Sequence, residues 1–329
     1  MPSRSRLPQI AGTQALTQAL TEQALELHAA RRADSTRRAY DKDWALFEEF
    51  CAEIGATPLP AAPLTVAQFI AGHTLLTPPA AASTIDRRLA AIRARHVDAG
   101  FPSPTADPAV VGVRSGARRT IGVRPKRQVD ALTTDDIRQL VKPIDNSLIG
   151  RRDRALLLVG FAGAFRRSEL VAVEVDHLYR DRRGYRILVP ESKTDQEGEG
   201  LDKGIPHGKG ITCPVTALDR WLRFSGINQG PVFRAVDQKG RISSTALTDQ
   251  SVALIIKRRA KAAGLTDEAV ARLAGHSLRA GNVTTLAREG VPFQDIMKLT
   301  GHKNERTVLR YVRQEDVLGP KATAKKLGL

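Results

Sequence analysis

Cysteine is nearly absent: Cys51 and Cys213 are the only two in 329 residues. Two thiols exclude a disulfide scaffold, and neither sits at a spacing that makes a zinc site. No apolar run approaches the roughly 20 residues that span a bilayer. The N-terminus lacks the charged-then-apolar form of a secretory leader. There is no Gly-x-x-x-x-Gly-Lys-Ser/Thr loop to cradle a nucleotide, no His-Glu-x-x-His pair and no acidic triad for a metal. The chain is therefore expected to work in the cytoplasm, away from membranes, without metal, cofactor or ATP. Acidic residues are also in deficit. Asp and Glu number 35 against 51 Lys and Arg, a net charge of +16, and the pI is near 10.3. Such a surplus calls for a polyanion partner, with nucleic acid the first candidate. A generally basic, soluble surface would carry the same charge.

The length suits two domains. In the N-terminal segment, 1–33, Leu16, Leu20, Ala24 and Leu27 recur at helical spacing. A second helix opens at Asp34 or Ser35 as cap and buries Tyr40, Trp44, Phe47 and Cys51. Thr36, Arg37 and Arg38 crowd its first turn, where backbone N–H groups and guanidiniums suit a phosphate. A solvated polar face accounts for them equally well. Thr65 reads as the cap of a third helix. Ser83–Asp86 reads as the capping box of a fourth, which buries Ile85, Leu89 and Ile92, shows Arg87, and carries His96 as a core histidine. Asp107–Arg119 is a further short helix. The Arg-, Lys- and Gly-rich stretch Ser115–Asp130 lacks periodicity and reads as a linker. Domain bounds are set at 34–118 and 132–316, with the linker at 119–131.

Beyond the linker, Thr133–Asp136 caps a helix, and Arg152–Phe165 is mostly apolar and ends at Arg166. Asp176–Val189 reads as two strands around Arg182-Arg183-Gly184, with a third strand near Gly210–Thr212. Helices follow from Pro214, over Thr248–Ala263, over Pro292–Leu299 and over Asn304–Arg313. Gln250, with Thr248 and Asp249, is a candidate for reading base edges. The expected fold is mainly α with a small β-sheet: an all-helical first domain and a mixed α/β second one.

Three kinds of side chain able to work on a phosphate occur in fixed order near the C-terminus: His276-Ser277-Leu278-Arg279, then Gly301-His302, then Tyr311. A guanidinium holds phosphate oxygens, imidazoles move protons, and a phenol attacks phosphorus. A free tyrosine, with a pKa of about 10, is a poor nucleophile and needs neighbours that take its proton and stabilise the developing charge. Upstream stands Arg166-Arg167-Ser168-Glu169-Leu170, and Lys193 lies in Ser192-Lys193-Thr194 beyond the second strand. A buried arginine needs an acid or a phosphate, so Glu169 is the expected support for Arg166; Arg167 is expected outside the site.

This set, in this order, resembles the tyrosine recombinases, or phage integrase family. The segments Thr36–Cys51, Ser83–His96, Phe165–Leu170, Ser192–Thr194, Gly275–Ser277 and Ala287–Val291 resemble its Cre-like branch more closely; His302 stands where Cre has tryptophan. The resemblance implies a helical core-binding domain, a catalytic domain and a C-terminal tail, 317–329, that docks on a neighbouring subunit. It implies that Arg166 and Arg279 grip the scissile phosphate and that Tyr311 forms a 3′-phosphotyrosyl bond. His276 would take the phenolic proton, Lys193 would protonate the leaving 5′-oxygen, and His302 would donate to the phosphate. Partners would be double-stranded DNA with an inverted-repeat site and three further copies of the chain, exchanging strands through a Holliday junction. A type IB topoisomerase and a non-catalytic DNA-binding regulator are the alternatives on the same fold.

Overall fold

The computed structural model describes residues 13–123, 129–190, 200–305 and 308–309. The chain divides into two compact units, Met1–Lys126 and Arg127–Leu329. Among the described residues helices dominate, strands are few and short, and no helix is long and apolar enough to cross a membrane.

The first unit is all helical: α1 (Thr13–Ala30), α2 (Asp34–Glu53), α3 (Pro63–Leu75), α4 (Ala82–Asp98) and α5 (Pro108–Ile121). Apolar positions three and four apart turn one face of each helix inward. Trp44, Phe47 and Cys51 of α2 meet Phe69 and Ile70 of α3, Ile85, Leu89 and Ile92 of α4, and Val110 of α5. His96 is fully buried. Its Nε2 accepts the Ala61 N–H at 2.9 Å and its Nδ1 faces the Ile92 carbonyl at 2.8 Å, so it belongs to the core, as expected.

Three helix starts differ from expectation. Ala33, Ala62 and Ala81 occupy the cap positions of α2, α3 and α4, and none of them caps with a side chain. Asp34 lies inside the first turn and pairs with Arg37 at 2.6 Å. Pro63 opens α3 with a pre-set φ, which leaves Thr65 buried within the helix. The carboxylate of Asp86 is drawn away by Arg114 and Arg118 of α5, at 2.7 and 2.5 Å. A proline replaces the local cap in α3 and a tertiary contact draws it off in α4, whereas in α2 the Asp34 carboxylate turns to Arg37 within the same helix. The expected linker also shortens, because α5 continues through Ile121 before Gly122 ends it at φ +81. The more basic stretch 124–128 lies outside the described residues.

The second unit begins with α6 (Thr134–Val141), whose capping box joins Thr133 and Asp136 as expected. Then come α7 (Leu148–Ala162), α8 (Arg167–Val171) and an antiparallel sheet of β1 (Leu178–Asp181), β2 (Gly184–Val189) and β3 (Leu201–Pro206) in that order. The turn between β1 and β2 is Arg182-Arg183, as expected. The third strand is β3, not Gly210–Thr212, which forms one 3-10 turn. Its polar Asp202-Lys203-Gly204 conceals a strand because Lys203 is buried while its neighbours are exposed. Next are α9 (Pro214–Ser225), an unforeseen hairpin of β4 (Arg234–Val236) and β5 (Ile242–Ala246), α10 (Asp249–Ala262), α11 (Asp267–Arg272), α12 (Ser277–Arg288) and α13 (Phe293–Thr300). Alternate β2 residues (Tyr185, Ile187, Val189) pack on the core that α7, α9 and α10 share.

Two close contacts hold this unit's helices. A Cβ on Gly281 would lie 1.7 Å from the Leu132 carbonyl, so only glycine lets α12 approach the segment before α6. Asp153 of α7 is fully buried and accepts from Arg152 at 2.7 Å, Arg258 at 2.7 Å and Arg259 at 2.8 Å. Removing a buried charge that neutralises others typically costs about 3–5 kcal/mol. Asp153→Ala is expected to lower unfolding free energy by about 3 kcal/mol, read from urea melts; a change under about 1 kcal/mol would show that the arginines find solvent instead.

Candidate active site

The site grows from the end of α7. Its last carbonyls have no partners within the helix and carry the negative end of the helix dipole. Side chains from later in the chain answer them in turn. Asn282 Nδ2 donates to Phe161 O at 2.9 Å and Ala162 O at 3.4 Å. Lys203 Nζ donates to Gly163 O at 2.9 Å, and Arg279 Nη1 to Ala164 O at 2.7 Å. Ala164 sits at φ +47, a left-handed conformation that costs a non-glycine residue about 1 kcal/mol or more. That turn aims its carbonyl at Arg279 and passes the chain to Arg166, the residue before α8.

Glu169, in the first turn of α8, accepts the Arg166 backbone N–H at 2.9 Å and its Nη1 at 2.5 Å. The carboxylate thus fixes the arginine at both ends. Arg166 keeps 16% of its side chain exposed, whereas Glu169 keeps 2%.

A second helix end meets the same cations. α13 stops where Gly301 adopts φ +68, a conformation suited to glycine. Arg279 Nη2 donates to Thr300 O at 2.6 Å, and Lys203 Nζ donates to Leu299 O at 3.0 Å. His302 follows the cap. Its Nε2 accepts from Arg279 Nη2 at 3.0 Å, and its Nδ1 stands 2.8 Å from Thr300 Oγ1. The Thr300 hydroxyl hydrogen is directed to Ile296 O at 2.7 Å. The network therefore assigns the proton of the ring to Nδ1 and the lone pair to Nε2.

The electrostatics agree with a neutral ring. Burial, then the charges of Arg279 and Arg166, hold His302 down to about 3. Burial, then Arg279 and Arg166, lower His276 as well. Burial brings Lys203 down to about 7, with Glu169 opposing and the two arginines reinforcing the shift.

The residues singled out in the sequence fall into four groups. Arg166, Glu169, His276, Arg279 and His302 form one interacting cluster. Lys193 and Tyr311 lie outside the described residues. Arg167, expected outside the site, pairs with Asp249 at 3.0 Å, and its charge also reaches His276. Of the surface candidates, Arg38 and Gln250 are exposed and Thr36 is half-buried. Arg37 pairs with Asp34, and Arg87 is engaged at both Nε and Nη2 by buried Asp43, at 2.6 and 2.9 Å. Arg37 also lines a basic hollow of about 160 Å³ with Arg31, Arg32 and Arg95. Sequence reasoning missed Lys203, Asn282 and Thr300. Asn282 had a signal, since it stands three residues after Arg279 on one helix face.

The phage integrase family model matches residues 130–317. An integrase/recombinase XerD homologue of Selenomonas ruminantium is 37% identical over 303 residues, covering 89% of this chain and 87% of its own length. The recombinase Cre of Escherichia phage P1 is 26% identical over 253 residues, 72% of each chain. The Tn1549 transposon integrase, solved with transposon right end DNA, superposes with a TM-score of 0.63 at 14% identity, over 92% of this chain and 96% of that one. Lambda integrase, solved as a tetramer on a Holliday junction, gives 0.58 at 14% identity, over 90% and 76%. This chain belongs to the phage integrase family: it is a tyrosine recombinase, an enzyme of site-specific recombination. The likeness to Cre is present but looser than that to the XerD homologue.

His302 provides a test by pH. Its folded value of about 3 lies below its ordinary 6.5. Between those values the unfolded chain binds a proton that the folded chain refuses, so stability falls as pH drops from 6.5 toward 3. His302→Gln should flatten this part of the stability curve, measured as the urea midpoint against pH. A mutant curve parallel to the wild-type curve would show that His302 is not held neutral.

Proposed function

We propose that the chain breaks and rejoins double-stranded DNA by transferring one strand to Tyr311. The phenolic oxygen attacks the scissile phosphorus and the 5′-oxygen leaves. A 3′-phosphotyrosyl bond and a free 5′-hydroxyl remain. The covalent bond keeps the energy of the broken phosphodiester, so a second strand's 5′-hydroxyl reverses the step without ATP.

One observation supports this reading above the others: the cluster has more positive charge than it neutralises. Among the described residues the buried carboxylate beside these arginines is Glu169. Burial first, then the charges of Arg279 and Arg166, depress both histidines, and that positive field suits the doubly charged, five-coordinate phosphorus of the transition state. Arg166 and Arg279 hold the non-bridging oxygens, where forked guanidiniums match the geometry better than lysine. His276, neutral near pH 7, is free in charge to accept the phenolic proton. Lys193 protonates the leaving oxygen. His302 becomes a donor to phosphate once the incoming oxygens take over the guanidinium of Arg279 and its ring proton moves from Nδ1 to Nε2, with the Thr300 hydroxyl turning to donate to Nδ1.

The wider reading follows the family. The substrate is an inverted-repeat DNA site, bound by one protomer on each half. Two such duplexes and four copies exchange strands in pairs through a Holliday junction. Residues 34–121 act as the core-binding domain, 122–131 as linker and 132–316 as catalytic domain, and 317–329 docks on a neighbouring copy. Arg38 and Gln250 are the best placed of the surface candidates for DNA, because Arg37 and Arg87, though exposed too, are engaged by Asp34 and Asp43. The work takes place in the cytoplasm, on the nucleoid.

Tyr311→Phe is expected to lose all denaturation-resistant adduct on nicked suicide duplexes bearing the native site, while binding stays within about threefold. Adduct formation equal to wild type in that variant would remove Tyr311 from the role of nucleophile. Binding itself should weaken steeply with salt, because each phosphate contact releases about one counterion.

A further inference from the structure

Among the described residues, the mechanism leaves one buried lysine unused. Lys203 is 0% exposed, on a strand whose flanking residues face solvent. A buried ammonium without work is costly, so its partners indicate its task. They are the Gly163 carbonyl at 2.9 Å, the Leu299 carbonyl at 3.0 Å and, at 3.9 Å, Glu169 Oε2. The Phe165 ring lies 5.0 Å away. Each carbonyl neighbours one that Arg279 holds. Arg279 joins Ala164 to Thr300, and Lys203 joins Gly163 to Leu299. Two cations thus cross-link the same two segments at adjacent residues. One segment delivers Arg166, and the other delivers His302.

We propose that Lys203 is a positioning residue for strand cleavage, setting the separation between Arg166 and His302 without touching the DNA. Arg279 alone fixes one point on each segment and leaves them free to pivot about it. A second cross-link one residue away removes the pivot. It also leaves Arg279 less committed to the backbone when a phosphate arrives, because the segments remain joined through Lys203. The contact to Glu169 extends the same constraint to the carboxylate that orients Arg166. The inference rests on the reading that Arg166 and His302 grip the scissile phosphate.

The test uses the full chain with Lys203→Met, which removes both donors, and Lys203→Gln, which supplies two N–H donors without charge. Single-turnover adduct formation is measured at saturating nicked suicide duplex, beside the Kd for the same duplex. The ring nitrogens of His302 are followed by NMR through a pH titration without DNA. K203M should cleave at least about 100-fold slower with its Kd within about threefold, K203Q should recover tenfold or more, and His302 in K203M should titrate closer to its ordinary value. K203M behaving as wild type in both rate and titration would overturn the proposal. So would parallel losses of rate, affinity and thermal stability without recovery in K203Q, which is the pattern of a purely structural residue. Should K203M not fold, K203Q must cleave within about tenfold of wild type, and a complete loss there overturns the proposal. If the wild-type chain itself forms no adduct while His302 shifts in K203M, the positioning role stands and the cleavage reading falls.

Discussion

Two helix ends of the same polarity converge at the centre of the second unit. The C-termini of α7 and α13 each present unpaired carbonyls, and like dipole ends repel when brought together. They stay together because Arg279 and Lys203 stand between them and bond to both. Much else in the unit serves this junction. α12 is pressed against Leu132 through Gly281, which seats Arg279 and Asn282 beneath the end of α7. β3 lies against β2 in a register that turns Lys203 inward opposite Ile187. The sheet, by its position at the domain's flank, is the means of delivering one ammonium group.

The same arrangement explains why the site is poised yet intact without a ligand. Cations buried for catalysis alone would be unsatisfied until a phosphate arrived. Here the protein's own carbonyls engage both terminal nitrogens of Arg279, and a carboxylate pairs with Arg166. Carbonyls carry only partial charge, so they meet hydrogen-bonding needs and leave most of the positive potential uncancelled. The depressed histidines register that remaining potential. In the proposed reaction a phosphate would meet donors already aimed and a field already present, so little reorganisation would be required.

The members of the cluster were largely legible from the sequence, because they stand as residue types in order: Arg166 with Glu169, His276 with Arg279, then His302. The helical stripes were legible too, since periodicity records burial directly. Helix starts were less so. Asp86 looked like a cap until Arg114 and Arg118, far away in sequence, competed for it. Lys203 was hidden for a related reason. A lysine between aspartate and glycine reads as solvated chain, and nothing local reveals that two distant carbonyls await it. Thr300, likewise, acquires meaning only once His302 folds back over it. What escaped the sequence was the set of polar groups whose partners are remote carbonyls, which leave no mark in residue type.

Those remote partnerships also govern when the site can exist. The bond from Arg279 to Ala164 closes a separation of 115 residues, and that from Lys203 to Leu299 one of 96. A nascent chain carries Arg166 and Glu169 early, but the ends of α7 and α13 have no common anchor until the chain through Thr300 has left the ribosome. For a DNA recombinase that order of events is protective. Chains stopped or clipped before α12 hold Arg166 and Glu169 without Arg279 and His302.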